Sequence, residues 1–208
     1  MSDVLTINHG DGSYRIHNPG GRIGSKLVNG EPYERQLLCD VRALGLSGTA
    51  FDIGANVGNH TLWFAIACGL RVQAWEPCDT TRKILRSNIA LNAPLGVRVH
   101  AWAAGAETGR GRLNSSMAIK LDRGKTPVHA IDDKVVVDDL AVVKVDVEGM
   151  EHLVLAGMVD HLERCKPVVY TECHSDKAHK QVAEVLEPLG YAVDKQIQMG
   201  SLMERWRV

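Results

Sequence analysis

The chain has 208 residues, 45% of them hydrophobic and 24% charged, with a formal net charge of −1. That length suits one domain with its own core, and the charge balance supplies no global field for a polyanion, which disfavours a dedicated nucleic-acid binder. The five cysteines, Cys39, Cys68, Cys78, Cys165 and Cys173, are widely spaced and form no C-x-x-C pair, so they suggest neither a disulfide framework nor a thiolate zinc site. Residues 1–8 lack the charged and apolar blocks of a signal peptide, and no apolar run approaches the ~18 residues of a membrane helix. The expectation is a soluble, cytoplasmic protein with free thiols and no membrane partner.

Residues 1–30 are rich in Gly, Asn and Asp and carry short alternating pieces at Val4–Ile7 and Ser13–Ile16. They read as a small β-hairpin cap in front of a main domain spanning residues 31–208. From Pro32 the spacing of Leu37, Leu38, Val41 and Leu44 predicts a helix that Gly45 stops. A strand–helix rhythm follows, with strands at Thr49–Ile53, Arg71–Trp75, Val97–Ala101, Ala141–Val147 and Pro167–Thr171. Helices are predicted at His60–Cys68, at Thr80–Asn92 with Asp79 as N-cap, at Glu151–Ala156 and at Lys177–Leu189. Residues 104–127 form a polar, glycine-bearing excursion with room for one hairpin, and Tyr191–Val208 reads as a closing antiparallel pair. Alternation of this kind implies an α/β, Rossmann-like fold whose mostly parallel sheet is covered on both faces.

Phe51-Asp-Ile-Gly-Ala-Asn-Val-Gly58 joins the first of these strands to its helix. A glycine turn there brings a ligand close to the backbone and the helix N-terminus. A P-loop would continue Gly-Lys-Ser/Thr, and a dinucleotide site would read G-x-G-x-x-G; this turn does neither. S-adenosylmethionine, a cation without phosphate, fits better, because Asp52 at the strand end suits its ammonium group. A turn that merely connects strand to helix is the plainer alternative. Glu76 strengthens the cofactor reading: it ends the second strand about 20 residues beyond the turn, where a carboxylate accepts the ribose hydroxyls of an adenosine cofactor.

Tyr33-Glu34, the block Phe51-Asp-Ile-Gly-Ala-Asn-Val-Gly-Asn59, Glu76-Pro77, Lys144-Val-Asp-Val-Glu-Gly-Met-Glu151 and Glu172 occur in this order over residues 30–175. In these blocks the sequence resembles the FkbM family of S-adenosylmethionine-dependent methyltransferases. The resemblance implies a class I methyltransferase sheet ordered 3-2-1-4-5-7-6 and O-methylation of natural products, sugars and related small molecules. It implies that Asp52, Gly54, Asn56, Gly58 and Asn59 wrap the methionine half of the cofactor, that Glu76 takes the ribose, and that Glu34 closes the pocket. The adenine side falls on His100–Ala104, where Ala103 would line the base and Trp102 would either flank it or simply pack.

At the carboxyl edge of the sheet, Asp146 and Glu148 are two apart in an extended segment and face one side, as do Glu172 and His174 after the fifth strand. Asp146, Glu172 and His174 are expected to converge on one rim, with Glu148 at the entry to the next loop. Such a cluster is open to two roles. One is general-base removal of an acceptor hydroxyl proton, for which His174 has a suitable ordinary pKa near ~6.5; the other is to hold Mg²⁺ or another divalent cation. Glu151 is read as a capping carboxylate at a helix start. The leading functional expectation is O-methylation of a hydroxyl on a sugar or other small polar metabolite, with the 104–127 excursion as a lid. Two alternatives stand beside it. One is methylation of a nucleic acid or modified base, although base N-methylation usually calls for proline and an aromatic where this chain has Asp146-Val-Glu-Gly; the other is a non-catalytic cofactor-binding subunit. The C-terminal strands leave a homodimer open.

Overall fold

The computed structural model describes residues 3–113, 119–121 and 124–208. Strands β1 (Val4–Asn8) and β2 (Ser13–His17) pair antiparallel as a hairpin. Alternation puts Ile7, Tyr14 and Ile16 on its inner face, all of them buried. Helices α1 (Gly21–Leu27) and α2 (Arg35–Ala43) follow. The first was not expected, because two glycines in its seven residues mask the helical spacing; Leu27 is what anchors it in the core.

The main sheet begins with β3 (Thr49–Ile53), buried along its whole length as a central parallel strand must be. Helix α3 (Asn59–Leu62) continues into a π-helical turn at Trp63–Ala67, before β4 (Arg71–Trp75), α4 (Asp79–Asn92) and β5 (Val97–His100). Asp79 is the first residue of α4 and not its N-cap, a place taken by Cys78. The described residues of the 104–127 region hold more than the one hairpin expected. Strands β6 (Ala103–Ala104), β7 (Gly109–Leu113), β8 (Ile119–Leu121) and β9 (Thr126–His129) form a separate four-stranded sheet in the order β6-β9-β7-β8. The rest of the predicted lid, residues 114–118 and 122–123, lies outside the described residues.

The chain then returns to the main sheet through β10 (Leu140–Val145), α5 (Glu151–Ala156), α6 (Val159–Cys165), β11 (Val168–Cys173) and α7 (Asp176–Leu186). It closes with β12 (Ala192–Gln198) and β13 (Leu202–Arg207), an antiparallel pair as expected. The seven strands lie in the order β12-β13-β11-β10-β3-β4-β5. Strands β5, β4, β3, β10 and β11 run parallel, and only β13 pairs antiparallel with them.

Because side chains alternate across a strand, the sheet buries two layers. Ala50, Val72, Val142 and Tyr170 face the N-terminal hairpin, α1, α2 and Leu62. Phe51, Ile53, Val143, Val145 and Val169 face α5, α6 and α7 through Val154, Leu162 and Leu186. The hairpin is fastened by asparagines. Asn88 of α4, fully buried, accepts from the His17 N–H at 2.8 Å and donates to the Val57 carbonyl at 2.8 Å. Asn88→Ala would orphan both backbone groups, so a loss of roughly 1–3 kcal/mol is expected in urea unfolding. Among the described residues no helix is long and apolar enough to cross a membrane, and all five cysteines are free.

Candidate active site

Ligands of open parallel sheets collect beyond the carboxyl ends of the strands where strand order reverses, here between β3 and β10. The turn after β3 is pinned there: the N–H groups of Gly54 and Ala55 both donate to the Trp75 carbonyl, at 3.1 and 2.9 Å. The chain needs left-handed backbone at Gly54 (φ 81°), Asn56 (φ 50°) and Gly58 (φ 95°). Glycine takes it freely and asparagine tolerates it. At Gly54 the demand is double, since a Cβ would run into the carbonyl oxygen of Asp146, just past the end of the neighbouring strand.

The result is a cavity with an empty volume of about 920 Å³, open solvent at its mouth included. One end is formed by Trp75, Glu76, Pro77, Ala103 and Ala104, the other by Tyr33, His60, Lys144, Asp146 and Glu148, with Gly54, Ala55 and Asn56 between. Glu76 is buried, and each of its oxygens takes one backbone donor: Asn56 N–H at 3.0 Å and Cys78 N–H at 2.8 Å. Burial pushes its pKa up, against those two hydrogen bonds. A carboxylate oxygen has a second lone pair, so Glu76 keeps acceptor capacity for ligand hydroxyls. Glu76→Ala should weaken S-adenosylhomocysteine binding by roughly 1–3 kcal/mol in a calorimetric titration.

The other end is dominated by a residue to which sequence reasoning gave no role. Lys144, fully buried in β10, sets its ammonium 3.1 Å from Asp146 Oδ2 and 3.8 Å from Asp52 Oδ1, and donates to the Gly54 carbonyl at 3.2 Å. Burial pulls its pKa down, but the carboxylates of Asp146, Asp52 and Glu34 outweigh that and hold it charged. A lone lysine inside a valine-rich buried strand was the available signal, since lysine is almost never buried unpaired. His60, also missed, lines the cavity with Nε2 3.1 Å from Glu34 Oε2.

Asp146 resists burial through Lys144, which holds its carboxyl well below the usual carboxylate range. Glu172 shows the opposite: burial and its neighbour Asp146 push its pKa well up. Ser201 donates to Glu172 Oε1, and His174 Nε2 lies 3.1 Å from Glu172 Oε2. Asp146, Glu172 and half-exposed His174 therefore do form a line, running from the cavity wall to the surface. Glu172 itself is not a wall residue, and His174 opens instead onto an adjoining polar cleft with Ser201 and Glu204.

Several expected contacts are placed differently. Asp52 does not line the cavity; its carboxylate is fully buried, accepts from Thr61 Oγ1 at 2.5 Å and faces Lys144, so it is not exposed to a ligand ammonium. Trp102 is also absent from the wall. Its ring packs edge-on against Trp75 at 5.7 Å, because the chain turns after β5 and leaves Ala103 to face the cavity. Gly58 lies off the wall, where it gives α3 its left-handed start. Asn59 lines the cavity, but its amide is spent on the backbone of Tyr33, accepting at 3.0 Å and donating at 2.9 Å. Glu34 reaches the site only through His60. Asp146 and Glu148 share the cavity wall although the strand stops at Val145; a turn with Glu148 at φ 61° brings them there. That turn is capped by Glu151, whose Oε1 accepts from Val147 and Gly149 N–H, both at 3.1 Å. Among the described residues no group of three or more His, Cys, Asp or Glu side chains is arranged to hold a metal ion, and Lys144 supplies the cation among these carboxylates.

A seven-stranded sheet in this order, with its glycine turn and strand-end acid facing one cavity, is the class I Rossmann-like methyltransferase fold. Within that class the chain belongs to the FkbM methyltransferase domain family, whose model matches residues 52–193. No curated protein matches the chain. Among solved structures, it is similar to an FkbM methyltransferase from Methylobacillus flagellatus KT (TM-score 0.60, 19% identity), covering 76% of this chain and 43% of that one. It is also similar over 99% of its length to all of Aeropyrum pernix fibrillarin, a structure with natively bound S-adenosyl-L-methionine (TM-score 0.58, 12% identity). An rRNA methylase from Streptococcus thermophilus is similar too (TM-score 0.55, 14% identity), covering 81% of this chain and 92% of that one. At these identities the likeness is one of fold.

Proposed function

We propose that the chain is an S-adenosylmethionine-dependent O-methyltransferase acting on a hydroxyl of a sugar or other small polar metabolite. The observation that carries this reading is Asp146: an ionised carboxylate in the cavity wall, backed by Glu172 and His174 in a line that leads to solvent. The cavity also fits the cofactor. Trp75, Pro77, Ala103 and Ala104 offer apolar walls for a flat base beside Glu76, which has lone pairs to spare for a ribose. At the opposite, charged end the buried His60 Nε2 lacks a hydrogen-bond partner in the cavity wall, which suits the zwitterionic methionine half.

When bound, S-adenosylmethionine supplies a methyl group on a positively charged sulfur, which keeps the bonding pair as the methyl leaves. The chain's own part is to seat the acceptor hydroxyl against Asp146 and take its proton as the new oxygen–carbon bond forms. Glu172, hydrogen-bonded to Asp146, relays that charge change toward His174 at the surface. The test is calorimetric titration of cofactor-stripped protein with S-adenosylhomocysteine and, separately, NAD. Stoichiometric binding of the first alone is expected; binding of NAD, or of neither, would overturn the reading.

A further inference from the structure

The charged end of the cavity holds more negative than positive groups. Among the described residues Lys144 is the one lysine lining it, and it is shared among Asp146 at 3.1 Å, Asp52 at 3.8 Å and, further off, Glu34. Glu148 adds another carboxylate to the wall. His60 Nε2 and Glu34 Oε2 meet at 3.1 Å without hydrogen-bond alignment, and both atoms, like Asp52 Oδ1, are buried and unsatisfied. Asp52, His60 and Lys144 are each more than nine-tenths buried, so water screens this surplus weakly.

Resting on the cofactor assignment above, we infer that this end of the cavity selects for positive charge. The carboxylates of Asp146, Glu34, Asp52 and Glu148 outnumber the basic groups Lys144 and His60 there, and this surplus favours the sulfonium donor over its neutral thioether product. Donor and product differ by one methyl group and one unit of charge, so discrimination between them reads the local field and little else. A unit charge several ångströms from a net negative charge, at an effective dielectric of about 20, corresponds to roughly tenfold in affinity or more. Burial first, and Asp146 beside it second, push the pKa of Glu172 up. In function, such a field expels the product once the methyl group has left, so the enzyme resists inhibition by S-adenosylhomocysteine.

The experiment is equilibrium calorimetry on the stripped full chain, without acceptor, using S-adenosylmethionine, S-adenosylhomocysteine and sinefungin, whose amine carries a positive charge near the sulfonium position. The two cations are expected to bind about tenfold more tightly than the thioether. In Asp146→Asn the ratio should narrow to about threefold or less, chiefly by loss of cation affinity, and Glu34→Gln should narrow it in the same direction if the first variant does not fold. Equal or tighter binding of S-adenosylhomocysteine by the wild type overturns the inference and leaves the cofactor assignment standing. A ratio unchanged in both variants removes these carboxylates as its cause. Failure of all three ligands to bind brings down the cofactor assignment and this inference with it.

Discussion

Lys144→Met is expected to lower folding stability by roughly 3–5 kcal/mol, the usual consequence of removing one partner from a buried ion pair. Methionine keeps the length and flexibility of the side chain, so packing is nearly preserved and the charge is what is lost. Asp52, fully buried, and Asp146 would then face each other with no cation between them. The wild-type lysine keeps its proton against burial because of those same carboxylates. Urea unfolding should show a lower midpoint with an unchanged slope. Adding Asp146→Asn to Lys144→Met should recover part of the loss, because one uncompensated charge is removed. A cost below about 1 kcal/mol for the single variant would mean that Lys144 is dispensable to the floor of the site.

Asp146→Asn is expected to reduce kcat by about 10²–10⁴-fold, the range for loss of a general base. The asparagine is nearly isosteric and still accepts a hydrogen bond from Lys144, so S-adenosylhomocysteine affinity should change only a few-fold. Turnover and product binding therefore separate. A variant that keeps wild-type kcat would place the base elsewhere, and one that no longer binds S-adenosylhomocysteine would make Asp146 a structural residue.

Much of the fold was legible because the central strands announce themselves. Thr49–Ile53 and Arg71–Trp75 are observed with the expected limits, since each is a short run with glycine or proline close to both ends, the first buried throughout and the second at Val72, Ala74 and Trp75. The strand order came from the family resemblance, not from periodicity. What stayed hidden was short or locally ambiguous. Helix Val159–Cys165 follows Glu151–Ala156 after a two-residue break, and seven residues are too few for a period of 3.6 to stand out. In the site, residue types were readable and side-chain direction was not. Asp52 sits in the predicted turn yet points at Lys144, and Trp102 sits in the predicted adenine segment yet packs on Trp75. Lys144 was visible in the motif, but its importance depends on which carboxylates the fold gathers around it, and Asp52 and Glu34 lie about 90 and 110 residues away in sequence.

The most direct test of the whole account is to follow the methyl group. The protein would be incubated with S-adenosylmethionine bearing a CD₃ group, together with an extract of small polar metabolites and, in parallel, with total RNA. Mass spectrometry would then locate the label. The account predicts CD₃ on an oxygen of a polyhydroxylated small molecule, lost in Asp146→Asn. Label found only in RNA, or in no acceptor although the cofactor binds, would contradict it.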